Sequence, residues 1–297
     1  MLTQIQSVVT SELLNSLFGL DFEFTPFDGL GDTTSNHASR ILTYTRDIQY
    51  VSTINSNKNL AGVICGSDIA DAISDRIQKI VHPDPTYAFF TLVDHFGKKI
   101  GHGAATHSET PLPKDHVSIA ACDVYIGKNV LIEPNVVILP GVIIHDNVIL
   151  RAGSVIGLDT FQHQRTSIGM VSPKHDGYLT LAADVEVGAN STICRGFSYR
   201  ETCIGEGTKL DAQVYIAHGV SIGKENIICA GARIMGHTTI GDYNFIGPGS
   251  VISNRLTIGD RNKISLGAVV TKDISERERV TGNFAVPHDK FMRKLKQ

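Results

Sequence analysis

The stretch Ile204-Gly-Glu-Gly-Thr-Lys-Leu210-Asp-Ala-Gln-Val-Tyr-Ile216-Ala-His-Gly-Val-Ser-Ile222-Gly223 carries an aliphatic residue at every sixth position. The same beat continues through Ile228, Ile234, Ile240, Ile246, Ile252, Ile258, Ile264 and Val270. It occurs earlier at Ile126, Ile132, Ile138, Ile144, Leu150 and Ile156. A period of six fits neither an α-helix nor a lone half-buried strand, so the repeating unit is one short strand plus one turn. Three units close a triangular coil of roughly eighteen residues, with the aliphatic side chain pointing inward onto its equivalents above and below. Gly and Asn at the corners accept the positive φ that such turns demand. A single coil has no core of its own, so stability belongs to the stack. The chain therefore reads as mainly β, a parallel β-helix.

Outward from this stretch, three regions separate. Residues 1–112 lack the hexad and read as an α/β domain. They hold an expected helix over Ser11–Phe18, a strand at Ala61–Cys65, a helix opened by Ser67 as N-cap and running toward Lys79, and another helix after Pro85. Gly97–Lys114, rich in Gly, Pro and small polar residues, reads as a linker. Residues 113–275 form the β-helix domain, with a projecting loop at about 157–184 where the beat is interrupted. Residues 276–297 are a C-terminal tail containing Gly282-Asn283-Phe284-Ala285 and a short basic helix over Lys290–Lys296.

The chain has 297 residues, a formal net charge of −3 and five cysteines. That charge, without a basic run, disfavours nucleic acid or an anionic membrane as partner. The cysteines form no Cys-x-x-Cys pair, and their number is odd; both suit a reducing compartment, with packing as their role. Met1–Val9 lacks a basic n-region and a cleavage motif, and no window approaches the length of a membrane span, so the expected location is cytoplasmic.

The segment Gly207-Thr-Lys-Leu-Asp-Ala-Gln-Val-Tyr-Ile-Ala-His218-Gly-Val-Ser-Ile-Gly223 resembles the active-site stretch of the UDP-3-O-acylglucosamine N-acyltransferase family, hexapeptide-repeat acyltransferases of lipid A synthesis. Val187-Gly-Ala-Asn-Ser-Thr-Ile-Cys-Arg-Gly196 is similar to that family's segment ending in Asp-Arg-Gly, with Cys194 in place of the Asp. Leu42-Thr-Tyr-Thr-Arg-Asp-Ile-Gln-Tyr50 and His82-Pro-Asp-Pro-Thr-Tyr-Ala-Phe89 resemble its N-terminal nucleotide-binding domain, so the similarity reaches most of the chain. The resemblance implies a left-handed coil, a homotrimer with active sites between neighbouring solenoids, and an N-acyltransferase working on a nucleotide-linked amino sugar. The acyl donor it implies is a thioester on acyl carrier protein or coenzyme A, as cosubstrate, with no permanently bound cofactor.

The repeat arithmetic supports a site. His218 follows the inward Ile216 by two residues, and Gly236 follows Ile234 by two, so the two should be neighbours in adjacent coils at the interstrand spacing of ~4.8 Å. A base beside a backbone N–H is what acyl transfer from a thioester to an amine needs: one takes the amine proton, the other stabilises the oxyanion. Asp211 is suited to orient the imidazole as a triad acid. The resemblance gives the same three roles to His218, Asp211 and Gly236. Arg195 and His237 are expected to line the substrate site. The family's uracil clamp, an aromatic, an Asn and a Tyr, corresponds to Tyr44, Asp47 and Tyr50. A carboxylate at Asp47 only accepts hydrogen bonds where an amide also donates, which leaves uridine and thymidine nucleotides open. His102 and His107 have a suggestive spacing, but they precede the repeat and lack a third ligand, so no metal is expected.

Several departures loosen the resemblance. The projecting loop differs, a later Gly-His pair reads Asn254-Arg255, the C-terminal extension is short, and Gly282–Ala285 resembles coenzyme A-dependent acetyltransferases. Two substrates therefore remain in play: the lipid A precursor with a 3-hydroxyacyl chain, and a surface-polysaccharide (O-antigen) sugar such as a 4-amino-4,6-dideoxyhexose. A non-catalytic β-helix that binds a nucleotide sugar or scaffolds a partner is the alternative of a different class.

Overall fold

The computed structural model describes residues 8–20, 23–97, 100–113, 116–197, 199–282, 287, 288 and 293. The Asn283-Phe284-Ala285 run and most of the basic ending lie outside these residues. The chain divides into two compact units.

The larger unit, Ile100–Asp159 with Tyr178–Gly196 and Glu201–Gln297, is the β-helix. Its strands form three eight-stranded parallel sheets, one per face, which the chain visits in rotation. The first face runs from His107–Ser108 through Val124–Ile126 to Thr257–Ile258. The second runs from Leu131–Ile132 to Arg279–Val280, and the third from Ser118–Ile119 to Val269–Val270. Stacked strands pair residue for residue, for instance Ile216 with Ile234 and Ile234 with Ile252. From Val124–Ile126 to Val269–Val270 each strand of the three faces buries an aliphatic residue, and together these form one core, with Ile119 and Val280 partly buried against it. Full burial of such a side chain is worth about 1.5–3 kcal/mol, which is why the hexad dominates the sequence. At the corner between the first and second faces the interior is polar instead. Asn226, Asn244 and Asn262 are buried there, and each Oδ1 accepts the backbone N–H of the coil above, at 2.8, 2.8 and 2.7 Å. The ladder satisfies amides that an aliphatic corner would strand in the core.

The structure moves three expectations within this unit. His107–Ser108, inside the stretch read as a linker, pairs with Val124–Ile126, and His107 stacks on Tyr125 with ring centroids 5.5 Å apart. Glycine and polar residues there serve turns and a bounding strand. The repeat also resumes earlier than Val185: Leu179–Leu181 is a strand of the first face, and Leu181, Val187 and Ile193 keep the six-residue beat. What breaks the register before Ile204 is a second, shorter excursion over 197–200.

The smaller unit comprises Met1–Lys99, Thr160–Gly177 and Phe197–Arg200. A parallel sheet of β1 (Gly29–Leu30), β2 (Ile41–Tyr44), β3 (Leu60–Cys65) and β4 (Gln78–Val81) runs in sequence order. Its helices are α1 (Ser11–Phe18), α2 (Val51–Ser56), α3 (Ser67–Ala70) and α4 (Pro85–Phe96). The helix expected to run from Ser67 toward Lys79 stops after one turn, with Gly66 as N-cap, and the chain returns as β4. Ile80 on one face of the new strand and the adjoining Ile77 on the other enter two cores, an outcome helical packing cannot supply. One core joins Leu42, Ile64 and Ile80 to Phe89, Phe90 and Leu92 of α4; the other joins Ile41, Val63 and Cys65 to α2 and Ile69.

Both excursions are built into this unit. The hairpin of Gln164–Thr166 and Gly169–Val171 lies on α4, whose N-cap Asp84 accepts from Tyr87 N–H at 2.9 Å with one oxygen and from Ser167 N–H with the other. Asp94 Oδ1 takes the Lys174 N–H at 3.1 Å. Arg200 reaches Thr34 Oγ1 at 3.0 Å and Asp32 at 3.6 Å. Among the described residues no helix is long and apolar enough to cross a membrane.

Candidate active site

From Tyr215 onward the chain turns from the third face to the first through a two-residue corner. In one coil that corner is His218-Gly219, between the strands Tyr215–Ile216 and Ser221–Ile222; in the next it is Gly236-His237. Gly219 and His237 occupy the left-handed position, with φ of 63° and 61°. The turn at His218 is anchored from beneath, because the buried Thr202 hydroxyl accepts the Gly219 N–H at 2.9 Å. From above, the His237 N–H donates to the His218 carbonyl at 3.0 Å. The backbone beside the imidazole is thus held on both sides.

The imidazole of His218 is buried and lies against Gly236. A Cβ built on Gly236 would fall 2.6 Å from Cε1 and 2.9 Å from Nε2 of that ring, so only glycine leaves room for it. The amides flanking Gly236 are spent in the ladder, Met235 N–H on Ile252 and His237 N–H on His218, each at 3.0 Å. The Gly236 N–H takes part in neither of these bonds, and its residue lies against the imidazole. The His237 ring meets the His218 ring edge to face, centroids 4.8 Å apart at 87°. A buried imidazole, a backbone donor and a second, more open imidazole therefore share one corner.

Asp211 does not belong to it. The carboxylate sits at the preceding corner, between the second and third faces, where Oδ1 accepts from Ala212 N–H at 2.7 Å and Oδ2 from Ala230 N–H at 3.2 Å. Residues 211 and 218 lie on either side of the strand Tyr215–Ile216, and the hexad that aligns residues a coil apart separates these two. Within one chain the two residues therefore stand at different corners. Arg195 is likewise engaged within the chain: Nε bonds Asp159 Oδ1 at 2.7 Å and Nη1 bonds the Pro140 carbonyl at 3.0 Å. It clamps the corner in earlier coils and does not offer a free guanidinium to a substrate.

The three residues matched to a nucleobase clamp are in the smaller unit and are not gathered into a sandwich. Tyr44 stacks on Phe89 with centroids 4.6 Å apart and joins the α4 core, whereas Tyr50 packs on the core of the opposite sheet face. Asp47 caps the short turn after β2, accepting from Gln49 N–H at 2.9 Å.

One positional feature escaped the sequence. Both excursions leave the β-helix at the corner type that carries His218, in the two coils before it. The first separates Val155–Leu158 of the third face from Leu179–Leu181 of the first; the second separates Thr192–Cys194 from Thr202–Ile204. Thr202, which anchors the His218 turn, was missed for the same reason, since the second excursion shifts it out of the eighteen-residue arithmetic. The signal was present in the Leu181, Val187 and Ile193 beat. Beside Thr202, the Cys203 thiol is pushed up to about 11 by burial and then by the charge of Glu201, which makes it an inert packing group.

Residues 123–158 and 204–236 match the model of the bacterial transferase hexapeptide (six repeats). A UDP-3-O-acylglucosamine N-acyltransferase from Chlamydia pneumoniae is 47% identical over 88 residues, 29% of this chain and 24% of that protein. One from Rhodopirellula baltica is 46% identical over 78 residues, 26% of this chain and 20% of its own length. The chain thus spans 24% and 20% of the lengths of these curated relatives. Among solved structures, a UDP-N-acetylglucosamine acyltransferase from Campylobacter jejuni superposes with a TM-score of 0.52 at 19% identity, covering 65% of this chain and 77% of that one. At that identity the likeness shows the fold alone, and the fold is a left-handed parallel β-helix.

Proposed function

We infer, from a β-helix built of bacterial transferase hexapeptide repeats, that this protein is an N-acyltransferase. It moves an acyl group from a thioester to the amino group of a nucleotide-linked amino sugar. The relatives named UDP-3-O-acylglucosamine N-acyltransferase support this substrate class. The observation that carries the reading is the His218 imidazole seated against Gly236, with no room for a Cβ between them. His218 takes the proton of the attacking amine, and the Gly236 N–H stabilises the oxyanion that forms as nitrogen bonds to the thioester carbon. A positioned base contributes about 10²–10⁴ in rate, and loss of a single oxyanion donor costs about 10²–10³. The donor is acyl carrier protein or coenzyme A, the setting is the cytoplasm where such thioesters are made, and the assembly is a homotrimer. The product serves lipid A or surface-polysaccharide synthesis.

Free-thiol release tests the reading. Purified protein is offered UDP-3-O-acylglucosamine with a 3-hydroxyacyl carrier protein, and separately a nucleotide-linked 4-amino-dideoxysugar with short acyl-coenzyme A. Turnover with either pair, falling by at least about 10² in His218→Gln at unchanged circular dichroism, is the expected result. Full activity in that variant, or silence of the wild type with both pairs, rejects the reading and leaves the β-helix as a binding scaffold.

A further inference from the structure

Acyl transfer from a thioester needs two proton movements, and His218 accounts for one. As the amine attacks the carbonyl carbon, the new N–C bond leaves nitrogen with a surplus proton, which the base removes. Collapse of the tetrahedral intermediate then breaks the C–S bond and expels a thiolate, which leaves faster if it is protonated as it departs. The corner holds a second imidazole placed for that step. The absent side chain of Gly236 lets the His218 ring lean onto the coil above, and there it meets His237, edge to face at 4.8 Å. His218 is buried, while His237, on the outer turn position, is partly open. His237 also takes the left-handed φ of 61° that Gly219 holds in the coil below, a conformation disfavoured for a residue with a Cβ.

We propose that His237 is the general acid of the reaction, giving its proton to the sulfur of the leaving thiol. The assignment rests on the acyl-transfer reading above. The cycle starts with His218 neutral and the transferable proton on His237. The amine nitrogen gives a proton to His218, His237 gives one to sulfur, and the proton on His218 then returns to His237 through solvent water. Amine and thioester have become amide and thiol, and both rings are restored. The buried ring suits the base, which must stay neutral until attack; the open ring suits the acid, which must reach a departing group.

Leaving-group dependence separates an acid from a residue that only packs or binds. His237→Asn keeps the corner, because Asn tolerates the left-handed position. With an alkyl thioester such as acyl-coenzyme A, whose thiol has a pKa in the range of about 8–9, the variant is expected to lose roughly 10²-fold or more in kcat. With an aryl thioester of the same acyl group, whose thiolate departs without a proton, it should stay within a few-fold of wild type. His218→Gln should fail with both donors. Equal losses with both donors in His237→Asn, or no loss with the alkyl donor, overturn the assignment. A wild type inert with both donors instead overturns the acyl-transfer reading beneath it, so the two failures are distinct.

Discussion

At the level of single residues, the corner separates groups that touch the imidazole from groups that only resemble catalytic ones. Gly236→Ala places a methyl 2.6 Å from the His218 ring, and the atoms it meets are Cε1, Nε2 and Nδ1 of that buried ring, which must move aside. The displaced base and donor should lower kcat by at least about 10², since a misplacement near 1 Å is worth that much. The fold should hold, and thiol release alongside a thermal melt checks both. Asp211→Ala should behave in the opposite way. Removing a solvent-exposed carboxylate that accepts two corner amides should destabilise the protein by about 0.5–1.5 kcal/mol. kcat should change little, because Asp211 is at a different corner from His218. A loss of kcat comparable to that of His218→Gln would instead support the triad role for Asp211. The two variants together assign one residue to chemistry and the other to the scaffold.

At the level of elements, α4 organises the smaller unit through its two ends. Asp84 caps the helix and also holds the Ser167 N–H of the hairpin. Burial by itself would raise the Asp84 carboxyl; hydrogen bonds from Tyr87 and Ser167 and the nearby His82 outweigh it and hold the group below the usual aspartate range. A carboxyl depressed in the folded state contributes its stabilisation fully above the unfolded pKa, about 3.9, and loses it as pH falls through the folded value. The hairpin tie is therefore complete at neutral pH and released only in acid. Asp84→Asn should speed amide exchange over 164–171 at neutral pH. The wild type should reach comparable protection only below about pH 4, after correction for intrinsic exchange. Exchange over these residues that is the same in both proteins at neutral pH would show that the tie adds nothing.

At the level of the whole molecule, the β-helix behaves as a one-dimensional stack, and its unit of tolerance is the coil. Residues 18 apart occupy equivalent places, as in the Asn226–Asn244 ladder. Excision of Tyr243–Asp260 removes one such unit and brings Arg261 to the corner that Tyr243 held, so the remaining coils keep their pairing. That protein should fold with a cooperative melt at a lower temperature, whereas excision of Tyr243–Val251, half a coil, should aggregate because later aliphatic residues turn outward. Circular dichroism and light scattering distinguish the two, and equal behaviour would refute the stack as the unit of stability. The same arithmetic explains what could be read in advance. The hexad alone determined the β-helix, its three faces and the placing of Gly236 over His218, because a fixed period decides which residues point inward and which lie one coil apart. It did not decide which corner a side chain serves. Asp211 looked near His218 in sequence yet stands across a face from it, and Arg195 turned to Asp159. Only the tertiary structure joined the His237 ring to that of His218, drew Thr160–Gly177 and Phe197–Arg200 into the smaller unit, and set Tyr44 on Phe89 and not opposite Tyr50. The physical reason is that inserted segments break the period, and side-chain partners follow from rotamer, burial and competing backbone amides, none of which a spacing records.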